Sequence, residues 1–211
     1  MKYKYASIDT ETLGLDPETC DVLEVGIVLE DFKSPVESLP SLHFYVTYPD
    51  DNYKGNAYAM AMNSEIIGII ANRHNHPSRL ISKDETFVPV DMVDRYMHEW
   101  LSSFASEPDQ IFLSGEILAA GQNFIGFDLP FLKSIGVGNK DSKTRFHHRC
   151  LDPATLFFDP EIDDVPPSLE ECLRRSGIDK EVTHHALSDA IDVINVLRYS
   201  FAQQAPFVAN C

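Results

Sequence analysis

Three apolar runs, at residues 2–9, 21–31 and 41–49, open this chain, with Pro- and Asp-rich breaks between them. Tyr3, Tyr5 and Ile8 punctuate the first. Runs of this length bounded by turn residues read as strands, and three in succession read as an antiparallel meander. The second half changes character. Residues 91–104 place Val93, Met97 and Trp100, with Tyr96, Leu101 and Phe104 beside them, at helical spacing, as a core stripe. Residues 116–123 suggest a buried strand, and 128–136 a helix with Pro130 near its start and Gly136 just past its end. Ser168 and Glu171 stand at capping-box spacing ahead of a helix that closes on Gly177. Residues 186–201 are amphipathic through Leu187, Ile191, Ile194 and Leu197. A meander followed by strand–helix alternation restricts the chain to an α/β fold, a mixed β-sheet flanked by helices. The 211 residues suit a single domain, with an atypical excursion around 50–90. Within it, 56–73 favours helix, the remainder has weak periodicity, and 72–77 reads as a polar loop.

The carboxylates are placed unusually. Asp9 and Glu11 sit two apart at the end of the first run, so a strand aims both side chains the same way. Asp128 follows Phe127 and opens a helix in "GQNFIGFDLPFL". Asp189 lies five residues after His184 in "HHALSDA". Each borders apolar sequence, where a bare carboxylate is costly. Taken singly, each has a plain structural explanation: a helix cap, a partner for a helix dipole, a solvated turn acid. Together they ask for a cation between them. Asp16 and Asp192 read as solvated acids, and Glu24, inside "VLEVG", as structural.

These segments resemble the three motifs of the DEDDh family of 3′→5′ exonucleases, in the ribonuclease-H-like superfamily. "IDTETLGLD" is similar to the first, "GQNFIGFDLPFL" to the second and "HHALSDA" to the third, with His184, Ala186 and Asp189 at the H-x-A-x-x-D positions. "LDPATLFF" and "SLEECLRRSGI" resemble the strand and helix before the third motif. The likeness covers most of the chain outside roughly 31–110. It departs at Gln122-Asn123, where many relatives have His-Asn, and in the longer stretch 50–90. A changed substrate contact is the expectation at the first.

The resemblance implies that Asp9, Glu11, Asp128 and Asp189 hold two divalent cations. A donor set of carboxylates without thiolates favours Mg²⁺ or Mn²⁺. It implies His184 as the general base, and His185 as its decoy, one residue too close to Asp189. It also implies a grip on a 3′ end: Leu15 wedged between the last bases, the Thr12 backbone at the 3′-hydroxyl, Asn123 and Phe127 lining the terminal pocket, and Met62 and Asn63 facing the substrate. The expected reaction releases nucleoside 5′-monophosphates from single-stranded DNA or short RNA or DNA oligonucleotides, a choice the motifs leave open. A homodimer or a polymerase partner stays open, and neither is indicated.

Seventeen basic residues against 33 acidic ones, a net charge of −16, argue against coating long nucleic acid through many phosphate contacts. A substrate engaged at one end through metal ions remains compatible. A silent copy of the fold, kept to bind ends or proteins, would be expected to have lost an acid, and none is missing. A small-molecule phosphohydrolase would not need a "NFIGFDLPFL" pocket. The four cysteines show no disulfide-like spacing, and "FHHRC" at 146–150 lacks a second Cys/His pair to complete a zinc site. No run is long enough to span a bilayer, and the first residues show no signal-peptide core, so a cytoplasmic protein without membrane contact is expected.

Overall fold

A computed structural model describes residues 3–75, 86–104, 112–113, 115–180 and 182–208. The first three strands are β1 (Tyr5–Thr12), β2 (Val22–Glu30) and β3 (Ser41–Thr47). They form the expected antiparallel meander, with Asp9 opposite Gly26 and Glu11 opposite Glu24. β1 runs further than its sequence suggested. Asp9 and Glu11 lie inside the strand, and the register slips only between Glu11 and Thr12.

The excursion holds two helices, α1 (Ala57–Met62) and α2 (Ser64–Asn75). Residues 72–75, read as the start of a polar loop, instead finish α2, and the rest of that stretch lies outside the described residues. A short strand the sequence did not signal, β4 (Phe87–Pro89), then pairs parallel with β3. Next come α3 (Val93–Ser103), β5 (Phe112–Leu113), β6 (Glu116–Ala120), α4 (Asp128–Ser134) and β7 (Phe146–Leu151). The chain continues through α5 (Pro153–Phe157), α6 (Leu169–Arg175) and α7 (Ala186–Val208). The sheet runs β4-β3-β2-β1-β6, with β5 antiparallel and β7 parallel to β6. β6 is parallel to β1, which makes the sheet mixed as expected.

β2 is buried at every position because helices cover both sheet faces. Ile8, Val25 and Phe44 join Val93, Met97 and Leu101 of α3 and Phe131 of α4 on one side. Tyr5 and Val28 join Leu173 of α6 and Val193 and Leu197 of α7 on the other. Ser168 caps α6 through the Glu171 amide at 3.2 Å, while the Glu171 carboxylate turns to Arg174 and Arg175, so only half of the capping box forms.

α7 crosses β1 and β2 closely. The Ser7 hydroxyl donates to the Ala190 carbonyl at 2.8 Å, and Arg198 holds the buried Glu30 with two 2.8 Å bonds. Gly26 makes the approach possible. A Cβ there would stand 2.3 Å from the Ala186 carbonyl carbon and the Leu187 nitrogen, both backbone atoms. Gly26→Ala is therefore expected to lower stability by about 3 kcal/mol or more, as overpacking against backbone does. Urea unfolding measures the loss, and a variant as stable as the parent would contradict this packing.

Candidate functional site

β1 carries the first two acids. Asp9 and Glu11 share one strand face, and both are half-buried. β6 pairs with β1 only at Ala6 and Ser7, which leaves the later β1 edge open. The chain turns away at Gly121, where a Cβ would meet the Ile8 carbonyl oxygen at 2.8 Å. Asp128, at the first turn of α4, returns to that edge. Its Oδ1 accepts from the Thr10 amide at 2.9 Å and from the Thr10 hydroxyl at 2.8 Å. Asp128 is 2% exposed, more buried than a capping residue needs to be.

The fourth acid arrives on α7. Asp189 is buried, and its Oδ1 has no hydrogen-bond partner. Glu11, His184 and Asp189 offer ligand atoms that all lie within 4.8 Å of one another. His184 is exposed and adopts a φ of +52°, the left-handed region that costs a non-glycine residue energy and is found at functional sites. It also borders a cleft of about 440 Å³ with Ser168, Leu169, Glu170 and Val182. The His185 imidazole lies elsewhere, with Nδ1 3.6 Å from Glu24 and Nε2 3.8 Å from Glu65.

Burial holds all four carboxyls above the ordinary carboxylate range, and repulsion from neighbouring acids adds to it at Asp9, Glu11 and Asp189. Burial pushes Asp9 well up, with Asp128, Glu11, Asp189 and Glu24 adding to it. Glu11 rises to about 8, first by burial and then by Asp189, Glu24 and Asp128. Burial takes Asp128 to about 7 against the opposing Thr10 bonds. Asp189 reaches about 6 through burial and then Asp192. An unfolded chain releases these protons near pH 4, whereas the folded chain keeps them to between about 6 and 8. The folded state thus binds more protons in that window, and its stability falls as the pH rises through it. In a chelator the melting temperature is expected to drop from pH 5 to pH 8.5, and Mg²⁺ or Mn²⁺ to restore more of it at the upper end. A metal-free melting temperature that rises over this range would contradict the assignment.

The acid cluster and its orphaned oxygen fit a divalent cation, with hard oxygen donors and one imidazole in reach. Among the described residues, "FHHRC" contributes to no such group. It forms the edge strand β7.

The proposed substrate residues converge in part. Thr12, Leu15, Met62, Asn63 and Phe127 line one groove of about 220 Å³ beside the acids. Leu15 is 84% exposed, unlike a core residue. Asn63 is buried and donates to the Thr12 carbonyl at 3.1 Å, so it holds the groove floor. Asn123 lies outside this groove, exposed on the loop before α4 with a φ of +55°. Gln122 donates to the Pro167 carbonyl at 3.0 Å, which anchors a loop.

Two acids need correction or enlargement. Asp192 is 1% exposed and bonded to Lys180 at 2.6 Å, not solvated, because that cation reaches it inside the fold. Glu24 is structural, buried and bonded to His43, yet it also faces Glu11 across the sheet and raises the two β1 acids. An acid in an otherwise apolar strand was the available signal. Tyr58, 76% exposed in the groove, had none, since it falls in the stretch with no motif. Asp16 behaves as a turn acid, accepting from the Glu18 amide and the Thr19 hydroxyl.

The sheet order and the flanking helices define a mixed α/β fold, with four acids gathered over β1 under the start of α7. Among solved structures with this fold is Escherichia coli exonuclease I. Its zinc-bound form with single-stranded DNA matches at 17% identity and a TM-score of 0.59, over 97% of this chain and 42% of that one. Its complex with a labelled dT13 oligonucleotide matches at 14% identity and a TM-score of 0.60, over 98% and 42%. This chain therefore spans about two fifths of the length of those structures. No protein-family model matches the sequence, and no curated protein does. Among the described residues no helix is long and apolar enough to cross a membrane.

Proposed function

We propose that this chain is a metal-dependent 3′→5′ exonuclease of the DEDDh type, acting as one unit over residues 1–211 on the 3′ end of single-stranded DNA or short oligonucleotides. The observation that carries this reading is the convergence of Glu11, His184 and Asp189 within ligand reach of one another, with Asp9 and Asp128 electrostatically linked to them. The single-stranded DNA held by the E. coli enzyme supports the substrate class.

Asp9, Glu11, Asp128 and Asp189 would hold two cations, Mg²⁺ or Mn²⁺. Bound there, such ions supply a water of lowered pKa and stabilise charge on the scissile phosphate and the departing 3′ oxygen. His184 takes the proton from the attacking water at an imidazole nitrogen and passes it to solvent across its exposed side. Thr10 fixes the Asp128 carboxylate. Leu15, Met62, Phe127 and Tyr58 offer the groove's apolar surface to the terminal bases, a contact that tolerates sequence. Asn123 stands apart from this groove, and a contact with the strand would be made from the loop before α4.

Labelled DNA and RNA oligonucleotides, incubated with Mg²⁺ or Mn²⁺, test the reading. Nucleoside 5′-monophosphates released stepwise from the 3′ end are the expected product. Internal cleavage, or no product with either polymer, would remove it.

A further inference from the structure

One segment of this acidic chain is rich in positive charge. Residues 133–149 hold five of its seventeen basic residues, Lys133, Lys140, Lys143, Arg145 and Arg149, against the single acid Asp141. All five are exposed, and among the described residues none forms an ion pair within 4.0 Å. The segment ends in β7, which pairs only with β6 among the described strands and so has a free edge.

β7 is also bulged. Ile117 pairs with Phe146 and Ala119 with Cys150, so a two-residue step of β6 faces a four-residue step of β7. The surplus falls on His147, His148 and Arg149. Bulges re-aim side chains out of a sheet. Here the two imidazoles touch with centroids 4.3 Å apart and planes tilted by 34°, and the Arg149 amide donates to His147 Nδ1 at 3.1 Å, which holds the bulge in shape. Its far end meets the loop before α4. The Gly121 amide donates to the Leu151 carbonyl at 3.1 Å, and the Asn123 amide to Asp152 at 3.2 Å. The same loop carries exposed Ile125, then Phe127 of the groove and Asp128 of the acid cluster.

We propose that this basic, bulged edge is a tracking surface for the body of a single-stranded nucleic acid whose 3′ end is held at the acid cluster. The proposal rests on the exonuclease reading for what lies at that end. Guanidinium groups suit phosphate oxygens, and the exposed His148 ring offers a base a sequence-tolerant face to stack on. In a chain of net charge −16, five exposed basic side chains, with Asp94 bonded to the loop backbone at 143 and 144 rather than to any of the five, offer a polyanion a favoured path toward the site. A protein strand added at the free edge would not call for the arginines.

The test uses Arg145→Gln/Arg149→Gln, both exposed and outside the acid cluster. Binding of oligothymidylates of about 4 and about 16 nucleotides, which bracket common single-strand site sizes, is followed by fluorescence anisotropy across a salt series in a chelator. For the long oligomer the slope of log K against log salt should fall in magnitude by about 1.4, or about 0.7 per lost phosphate contact, with binding weakened at least tenfold near 0.1 M salt. The short oligomer, and Mg²⁺-dependent hydrolysis of the p-nitrophenyl ester of thymidine 5′-monophosphate, should stay within twofold of the parent. An unchanged long-oligomer slope, or equal losses for both lengths, overturns the proposal. If the parent does not hydrolyse the ester, the exonuclease reading fails while the salt slopes still decide the surface.

Discussion

Replacing Asp128 by Asn is expected to cut exonuclease activity by at least about a hundredfold while leaving the fold intact. Loss of groups that only orient metal ligands costs about 10- to 100-fold, so loss of a ligand charge should exceed that. The change is nearly isosteric, and the Asn Oδ1 still accepts from the Thr10 amide and hydroxyl, so β1 and the start of α4 stay joined. What disappears is a buried negative charge next to Asp9. Without bound metal, the melting temperature of Asp128→Asn should equal or exceed that of the parent, most clearly above pH 7, where the parent's carboxyl is ionised at a cost. Thermal melts in a chelator, set beside single-turnover rates in Mg²⁺, check both halves. An unfolded variant, or one that keeps most of its activity, removes Asp128 from the metal site.

His184→Ala should lower the single-turnover rate by about a hundred- to ten-thousandfold, the usual worth of a positioned general base. Alanine tolerates a φ of +52° less well than histidine does, so a thermal melt beside the rates separates loss of the ring from loss of the fold. His185→Ala should do much less, because that imidazole lies between Glu24 and Glu65. Metal titration sharpens the test, since His184 also lies within ligand distance of Glu11 and Asp189. A variant that loses cation affinity along with rate marks His184 as a ligand and not the base. If His185→Ala is the crippled one, the base is assigned one residue off.

The sheet's first half was legible because its apolar runs and turns are regular, and the later helices because their caps and spacing are plain. Ser168 caps α6, and Pro130 and Gly136 frame α4 within a residue or two of their expected places. The edges were not legible. β4 has three residues and a proline, too few for any periodicity. β7 hides its strand character because the His147–Arg149 bulge breaks alternation. The extent of β1 was missed since its last residues are the acids, residue types that ordinarily mark a turn. At the candidate site, motif spacing drew attention to the four acids that the fold brings near one another. Asp192 was misread because its partner Lys180 is remote in sequence, and a local reading cannot see a cation arriving from another loop. Tyr58 and the inward turn of Asn63 depend on how α1 seats against Leu13 and Thr12, which composition does not encode.

The packing of α7 against β1 has a consequence for how the protein is made. Ser7 and Ala190, joined by one hydrogen bond, are 183 positions apart. During translation the meander emerges first with Asp9 and Glu11, then Asp128, and only much later His184 and Asp189. Any nascent chain or proteolytic fragment that stops before residue 184 lacks both His184 and Asp189, however well its sheet has formed. On the proposed reading, order of synthesis would act as a safety catch: hydrolytic competence would wait for α7 to pack over Gly26 and would not build up gradually as the chain grows.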